Sequence, residues 1–278
     1  MIQSIPQLKD GEQTVFFRAG GEWCYLRTPS GYRANPAQGN AVACVIHCHG
    51  NGGYVRDGEA DWLDDENRSI FVRMLVDAGI AVSGSHATGN HWGTAAAVAA
   101  NAALFDALVG EVNVDSERMG LMGGGLGGAL VWNSATGPLT GRVRAAVLQQ
   151  AVLSYDSIVR NHKFKGQLLE AYGIPADAPD DLAVSSLAYN DPLNRTRLLA
   201  SQNGTETASL LPEVLFVHGD VDENILFEEN PIALSKELDA FGGAYSFQTY
   251  QGVGHATYDL GERAAKDITD FFRRTFTL

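Results

Sequence analysis

The chain has 278 residues, of which 45% are hydrophobic and 19% charged, with a formal net charge of −13. That apolar share is enough for a sizeable core and sets disorder aside. The acidic balance speaks against nucleic acid and against an anionic membrane surface as partners, since both select for clustered Lys and Arg.

Residues 1–13, MIQSIPQLKDGEQ, hold no basic stretch followed by an apolar run, so no secretory leader is expected. No run approaches the roughly 18 uninterrupted apolar residues of a membrane span. The cysteines are three, Cys24, Cys44 and Cys48. A sparse, odd set fits a reducing compartment, and the expected location is cytoplasmic.

Residues 11–20 and 21–30 are β-rich runs meeting at Gly20-Gly21, a hairpin signal. Residues 41–50, AVACVIHCHG, form a nearly unbroken apolar run, as expected of a strand buried on both faces. Cys44 and Cys48 would lie about 13 Å apart along it, too far for a disulfide. All three cysteines read as small buried hydrophobes. The run continues as V-I-H-C-H-G-N-G-G-Y over residues 45–54, and its glycines would let backbone N–H groups face a developing oxyanion. His47 and His49 flank Cys48, but no Asp or Cys set stands at ligand spacing, so structural roles are expected for both.

A helix is predicted over 66–76 and a strand over 79–85. The segment S-H-A-T-G-N-H-W-G follows, and His86, Asn90, His91 and Trp92 are candidates for a pocket wall, loop capping being the competing role. A helix over 92–109 and a strand over 117–123 come next. That strand runs into G-L-M-G-G-G-L-G-G at residues 120–128, and a helix over 126–134 leaves it. A tight strand-to-helix turn of the form G-x-S-x-G presents a nucleophilic serine in a strained, positive-φ conformation. Gly123, Gly124, Gly125, Leu126 and Gly127 fill that frame, with glycine where the serine would stand. The turn also matches G-x-G-x-x-G. However, it follows several strands, and about 20 positions on, where a dinucleotide site keeps an acid, the chain reads Arg142-Val143-Arg144. No Lys follows for a phosphate-binding P-loop.

After a strand over 143–150 the alternation breaks. Residues 150–210 are helical in parts with turn signals between, and an insertion capping the site is expected there. Alternation resumes with a strand over 211–219, a helix over 231–241, a strand over 244–250 and a helix over 258–276. Asp222 follows the first of these strands, and Asp220 beside it reads as a turn residue. His255 follows the second. Both therefore hang from C-terminal strand ends, where open α/β sheets place their sites.

The elbow, Asp222, His255 and the glycine loop near Asn51 stand in the order of the α/β-hydrolase superfamily. The chain resembles that superfamily from about residue 40 onward, in the style of small bacterial esterases and of dienelactone-hydrolase-like or prolyl-oligopeptidase-like enzymes. The resemblance implies one α/β-hydrolase domain over 1–278, with a mostly parallel sheet, helices on both faces, an N-terminal antiparallel hairpin and the 150–210 cap. It also implies hydrolysis of a small-molecule carboxylic ester or related acyl compound by a Ser-His-Asp mechanism, with no metal or organic cofactor. Position 125 would be the nucleophile, His255 the base, Asp222 the orienting acid, and Leu126 with Asn51 and Gly52 the oxyanion donors. A peptidase of this kind would carry a further recognition domain, so small esters are expected rather than peptides. With Gly125 in place three readings stand: an inactivated hydrolase with its other machinery intact, a natural pseudo-hydrolase that binds a ligand or partner, and a His–Asp enzyme (lyase or isomerase) working without a covalent step.

Overall fold

The computed structural model describes residues 5–278; part of the segment read for a leader lies outside the described residues. Gly20 (φ +60°) and Gly21 (φ +87°) close the hairpin of β1 (Gln13–Ala19) and β2 (Glu22–Thr28). Two consecutive positive-φ residues are what a two-residue turn between twisted strands requires. The apolar run becomes β3 (Val42–Cys48), and its residues alternate between two cores. Cys44, Ile46 and Cys48 enter one, and Ala43 and Val45 the other.

The remaining strands are β4 (Ala81–Ser85), β5 (Val114–Gly124), β6 (Ala145–Gln149), β7 (Glu213–Gly219) and β8 (Tyr245–Tyr250). They form one sheet in the order β1-β2-β4-β3-β5-β6-β7-β8. Only β2 runs against the others. Helices α1 (Glu66–Asp77), α2 (Ala95–Glu111) and α3 (Leu126–Ala135) follow β3, β4 and β5. A helical segment then follows β6: α4 (Tyr155–Arg160), α5 (Lys165–Ala171), α6 (Asp180–Leu187) and α7 (Pro192–Asn203). α8 (Pro231–Asp239) and α9 (Glu262–Thr275) complete the chain. Leu104, Leu130 and Leu234 bring α2, α3 and α8 to one face of the sheet, and Phe71 and Phe272 bring α1 and α9 to the other. This is the α/β-hydrolase fold.

The segment after β6 packs Tyr155, Ile158, Leu168 and Leu187 into a small apolar core shared with Trp92, Leu126 and Ala129 of the main body. Its anchor to the main body is buried: Trp132 Nε1 of α3 donates to Thr196 Oγ1 of α7 at 2.8 Å. All three cysteines are buried and unpaired. Burial pushes the thiol of Cys24 up to about 11 and that of Cys44 up to about 12, which leaves them protonated and inert.

Several boundaries differ from the sequence reading. α2 starts at Ala95 rather than at 92, because Trp92 (φ +44°) and Gly93 (φ +64°) are left-handed and cannot join a right-handed helix. The final helix is broken at Gly261 (φ +53°), which separates a 3₁₀ turn over Thr257–Leu260 from α9. α8 ends at Asp239, two residues before the expected 241.

The turn between β5 and α3 is held by contact. A Cβ on Gly127 would lie 2.2 Å from the Cys48 carbonyl oxygen, and one on Gly128 would lie 2.2 Å from Ala151 Cβ. Alanine in a helix ordinarily stabilises by about 1 kcal/mol relative to glycine. Here overpacking of about 1–3 kcal/mol opposes it and wins. Gly127→Ala and Gly128→Ala are each expected to lower the melting temperature, read by thermal denaturation, where an unconstrained turn would raise it.

Candidate active site

Gly125 caps α3 with φ +54° and ψ −125°. Its N–H faces the carbonyls of Gln149 and Gln150, each at 3.2 Å, and its own carbonyl accepts from Val152 N at 2.9 Å. The bend is thus tied to the end of β6. Unlike its neighbours, position 125 is open. A Cβ built there would meet one atom, His255 Nε2, at 3.9 Å. Leu126 is the first residue of α3, where backbone N–H groups lack helical partners and the helix dipole is positive.

Asp222 follows β7 on a short loop, and its side chain is fully buried. Oδ1 accepts from the backbone N–H of Asn224 at 2.8 Å and of Ile225 at 3.1 Å. Oδ2 lies 2.9 Å from His255 Nδ1. Burial pushes this carboxyl up, but the hydrogen bond and charge of His255 and the two backbone donors outweigh it, leaving Asp222 below its ordinary value. A carboxylate can only accept, so Nδ1 carries the proton, and in the neutral ring Nε2 presents its lone pair toward position 125. Asp220 stands apart, accepting from Gly252 N in the loop that leads to His255. His218 Nε2 donates to the Ile225 carbonyl at 2.9 Å and lies 3.5 Å from Asp222 Oδ2.

A cavity of about 280 Å³ opens over this constellation, and Asn51, Gly125, Leu126 and His255 lie on its wall. Gly52 is a correction to the expected donor set. It is absent from the wall, and its N–H is taken by Asn90 Oδ1 at 2.8 Å. Of the expected donor set, Asn51 and Leu126 remain on the wall. Asn90 is thereby a loop brace. His86 is another: its carbonyl receives His49 Nε2 at 2.8 Å. His91 is buried against the His49 carbonyl and accepts from Gly93 N. Of the four expected wall residues only Trp92 lines the cavity. His47 is buried with its ring centroid 3.8 Å from that of Trp62, and burial holds it well below its ordinary pKa. Among the described residues no group of three or more His, Cys, Asp or Glu could hold a metal ion.

The sequence reading missed much of the wall. Asp61 and Trp62 reach it just after a two-stranded ribbon, Val55–Arg56 with Glu59–Ala60, and Arg68 reaches it from α1. Asp61 is buried and its carboxyl is pushed up by that burial, against the pull of His49 and Arg68. Phe164 and Gln167 arrive from the helical segment after β6, and Tyr258 from the turn behind His255. Tyr258 alone carried a signal, its place three residues past the histidine.

A family model described as the prolyl oligopeptidase family matches residues 82–278, which takes in the elbow, Asp222 and His255. No curated protein sequence matches the chain. Solved structures match at low identity. A Mycobacterium tuberculosis puromycin-hydrolysing peptidase has a TM-score of 0.71 at 18% identity, over 95% of this chain and 39% of its own. A truncated carbohydrate esterase from gut microbiota has a TM-score of 0.70 at 16% identity, over 99% of this chain and 100% of its own. Pyrococcus horikoshii acylaminoacyl peptidase has a TM-score of 0.66 at 12% identity, over 96% of this chain and 42% of its own. The chain spans about two fifths of the length of these peptidases. No helix among the described residues is long and apolar enough to cross a membrane.

The Asp222 carboxyl has a consequence for acid stability. A carboxyl depressed below its ordinary 3.8 contributes stability that is complete above that value and is lost as pH falls through the lower, folded one. Asp222→Asn is expected to be less stable than the parent at pH 7, with the gap closing below about pH 4. Urea denaturation at pH 7 and pH 3 measures both gaps, and an equal gap at the two pH values contradicts the assignment.

Proposed function

The chain belongs to the prolyl oligopeptidase family of serine hydrolases, and from that premise we propose that its cleft is an acyl-hydrolase site for small carboxylic esters whose nucleophile position is unfilled. One observation carries the reading. The elbow is closed by contact at Gly127 and Gly128, yet a side chain at 125 would project freely to within 3.9 Å of His255 Nε2. A serine hydroxyl, one bond further out, would reach hydrogen-bond distance of that nitrogen. His255 would take its proton, Asp222 would stabilise the imidazolium, and the N–H groups of Asn51 and Leu126 would receive the oxyanion.

With glycine there is no hydroxyl and no acyl-enzyme. Losing the nucleophile costs roughly six decades of turnover in a serine protease. The chain as it stands therefore binds an ester and holds it. The helical segment at 150–210 acts as the cap that selects the substrate, since it supplies Phe164 and Gln167 to the wall. The carbohydrate esterase of matching length supports an ester over a peptide.

The same opening favours a second reading, in which a water seated over Gly125 is activated by His255 and attacks directly. One variant separates the two. Gly125→Ser is expected to hydrolyse p-nitrophenyl acetate at least about 10³-fold faster than the parent and to be labelled by a fluorophosphonate. It is also expected to melt lower, because serine in this left-handed bend is strained by about 1–3 kcal/mol. Turnover by the unlabelled glycine form supports the water route, and two inert, unlabelled proteins refute the acyl-hydrolase reading.

A further inference from the structure

The cavity wall divides chemically. Trp92, Leu126, Val152 and Ile225 belong to the apolar core shared with the helices after β6, and Phe164 packs against it. The opposite character is concentrated at Asp61 and Arg68. Arg68 Nη1 donates to Asp61 Oδ2 at 3.0 Å, and the guanidinium lies 5.4 Å from the centroid of the Tyr258 ring. That is the one side-chain hydrogen bond of Arg68 among the described residues, so most of its five donors are uncommitted. Asp61 has 6% of its side chain exposed and Arg68 28%.

The pair places a buried acceptor beside a half-exposed donor, with the two charges cancelled and an aromatic face adjacent. An anionic ligand group would gain from Arg68 and lose to Asp61. A peptide amino terminus would find the charge of Asp61 already met. A neutral group that both donates and accepts satisfies both side chains, and vicinal hydroxyls are such a group.

A second observation points the same way. Trp92 Nε1 and Gln150 Nε2 are buried donors without a partner, and both residues line this cavity. Both also hold left-handed backbone, φ +44° for Trp92 and +39° for Gln150. Strain and unmet donors in the lining of one cavity mark a place whose hydrogen bonds are completed by a ligand rich in oxygen acceptors.

We infer that the cleft takes an ester of a neutral polyol, a sugar or its analogue, with Arg68 and Asp61 gripping its vicinal hydroxyls. The inference rests on the acyl-hydrolase reading of the same site. Because position 125 is glycine, the unaltered chain retains the intact ester, and binding is read directly by calorimetry. The probes are methyl 2-O-acetyl-β-D-xylopyranoside, ethyl acetate and alanyl-proline amide. The acetylated glycoside is expected to bind at least about tenfold more tightly than either comparator, and Arg68→Met to weaken it about tenfold. Arg68→Met strands the Asp61 carboxylate, so the double variant with Asp61→Asn removes both charges together and separates a folding defect from lost recognition. Equal binding of glycoside and ethyl acetate, tighter binding of the dipeptide amide, no binding of any probe, or glycoside affinity unchanged in the double variant each overturns the inference. Failure of the acyl-hydrolase reading shows elsewhere, as absent labelling and absent ester turnover in Gly125→Ser.

Discussion

The site depends on how closely the β5–α3 turn is pressed against its neighbours. Gly127 meets the carbonyl at the end of β3, Gly128 meets Ala151 beyond β6, and the Gly125 carbonyl receives Val152 N. These contacts bring three separate stretches of chain to one point at the C-terminal edge of the sheet. The Asn51 loop leaves β3 there, the elbow leaves β5, and the wall residues Gln149 and Gln150 leave β6. A methyl group at either contact glycine would push the elbow out of this junction.

The electrostatics follow from the same edge. Asp222 is buried at the end of β7 among polar partners: two backbone donors on Oδ1, His255 on Oδ2, and His218 Nε2 3.5 Å from Oδ2. A buried carboxylate without partners would take up a proton or destabilise the fold. This one does neither, and its charge fixes the ring of His255 so that Nε2 faces the empty position. Asp61, equally buried, shows the other outcome. The charges of His49 and of the Arg68 guanidinium do not offset its burial, and its carboxyl is pushed up.

Much of this was legible in the sequence because chemistry on this fold is concentrated at strand ends. A nearly unbroken apolar run ending in His49-Gly50, a glycine turn between β5 and α3, and an acid and a histidine after the last two strands are local signals tied to one sheet edge. The failures were of the opposite kind. His86, Asn90 and His91 looked like wall residues because they are polar and follow a strand, but their side chains brace the loops beneath the wall: His86 Nδ1 accepts from Val55 N, Asn90 Oδ1 from Gly52 N, and His91 Nε2 meets the His49 carbonyl. Gly52 looked like a donor, yet Asn90 consumes it. Asp61 and Arg68 carry no motif. They pair locally, seven residues apart, and what no local spacing encodes is that the ribbon and α1 bring the pair to the cavity wall.

The retention of Asp222 and His255 around a bare bend is not by itself evidence of turnover. The fold has its own use for the acid, since its two backbone hydrogen bonds hold the loop after β7, and removing it would leave those donors unmet. His255 is different. Its side chain is 32% exposed, and its only side-chain hydrogen bond among the described residues is to Asp222. Packing does not demand an imidazole there, and many residues would satisfy a half-exposed position. The open space between Nε2 and Gly125 is the second feature that stability does not explain, because a larger residue at 255 could fill it. An imidazole that packing does not require and an unfilled space facing each other across the cleft are therefore features of a ligand site, with the acid as the element that fold and chemistry share.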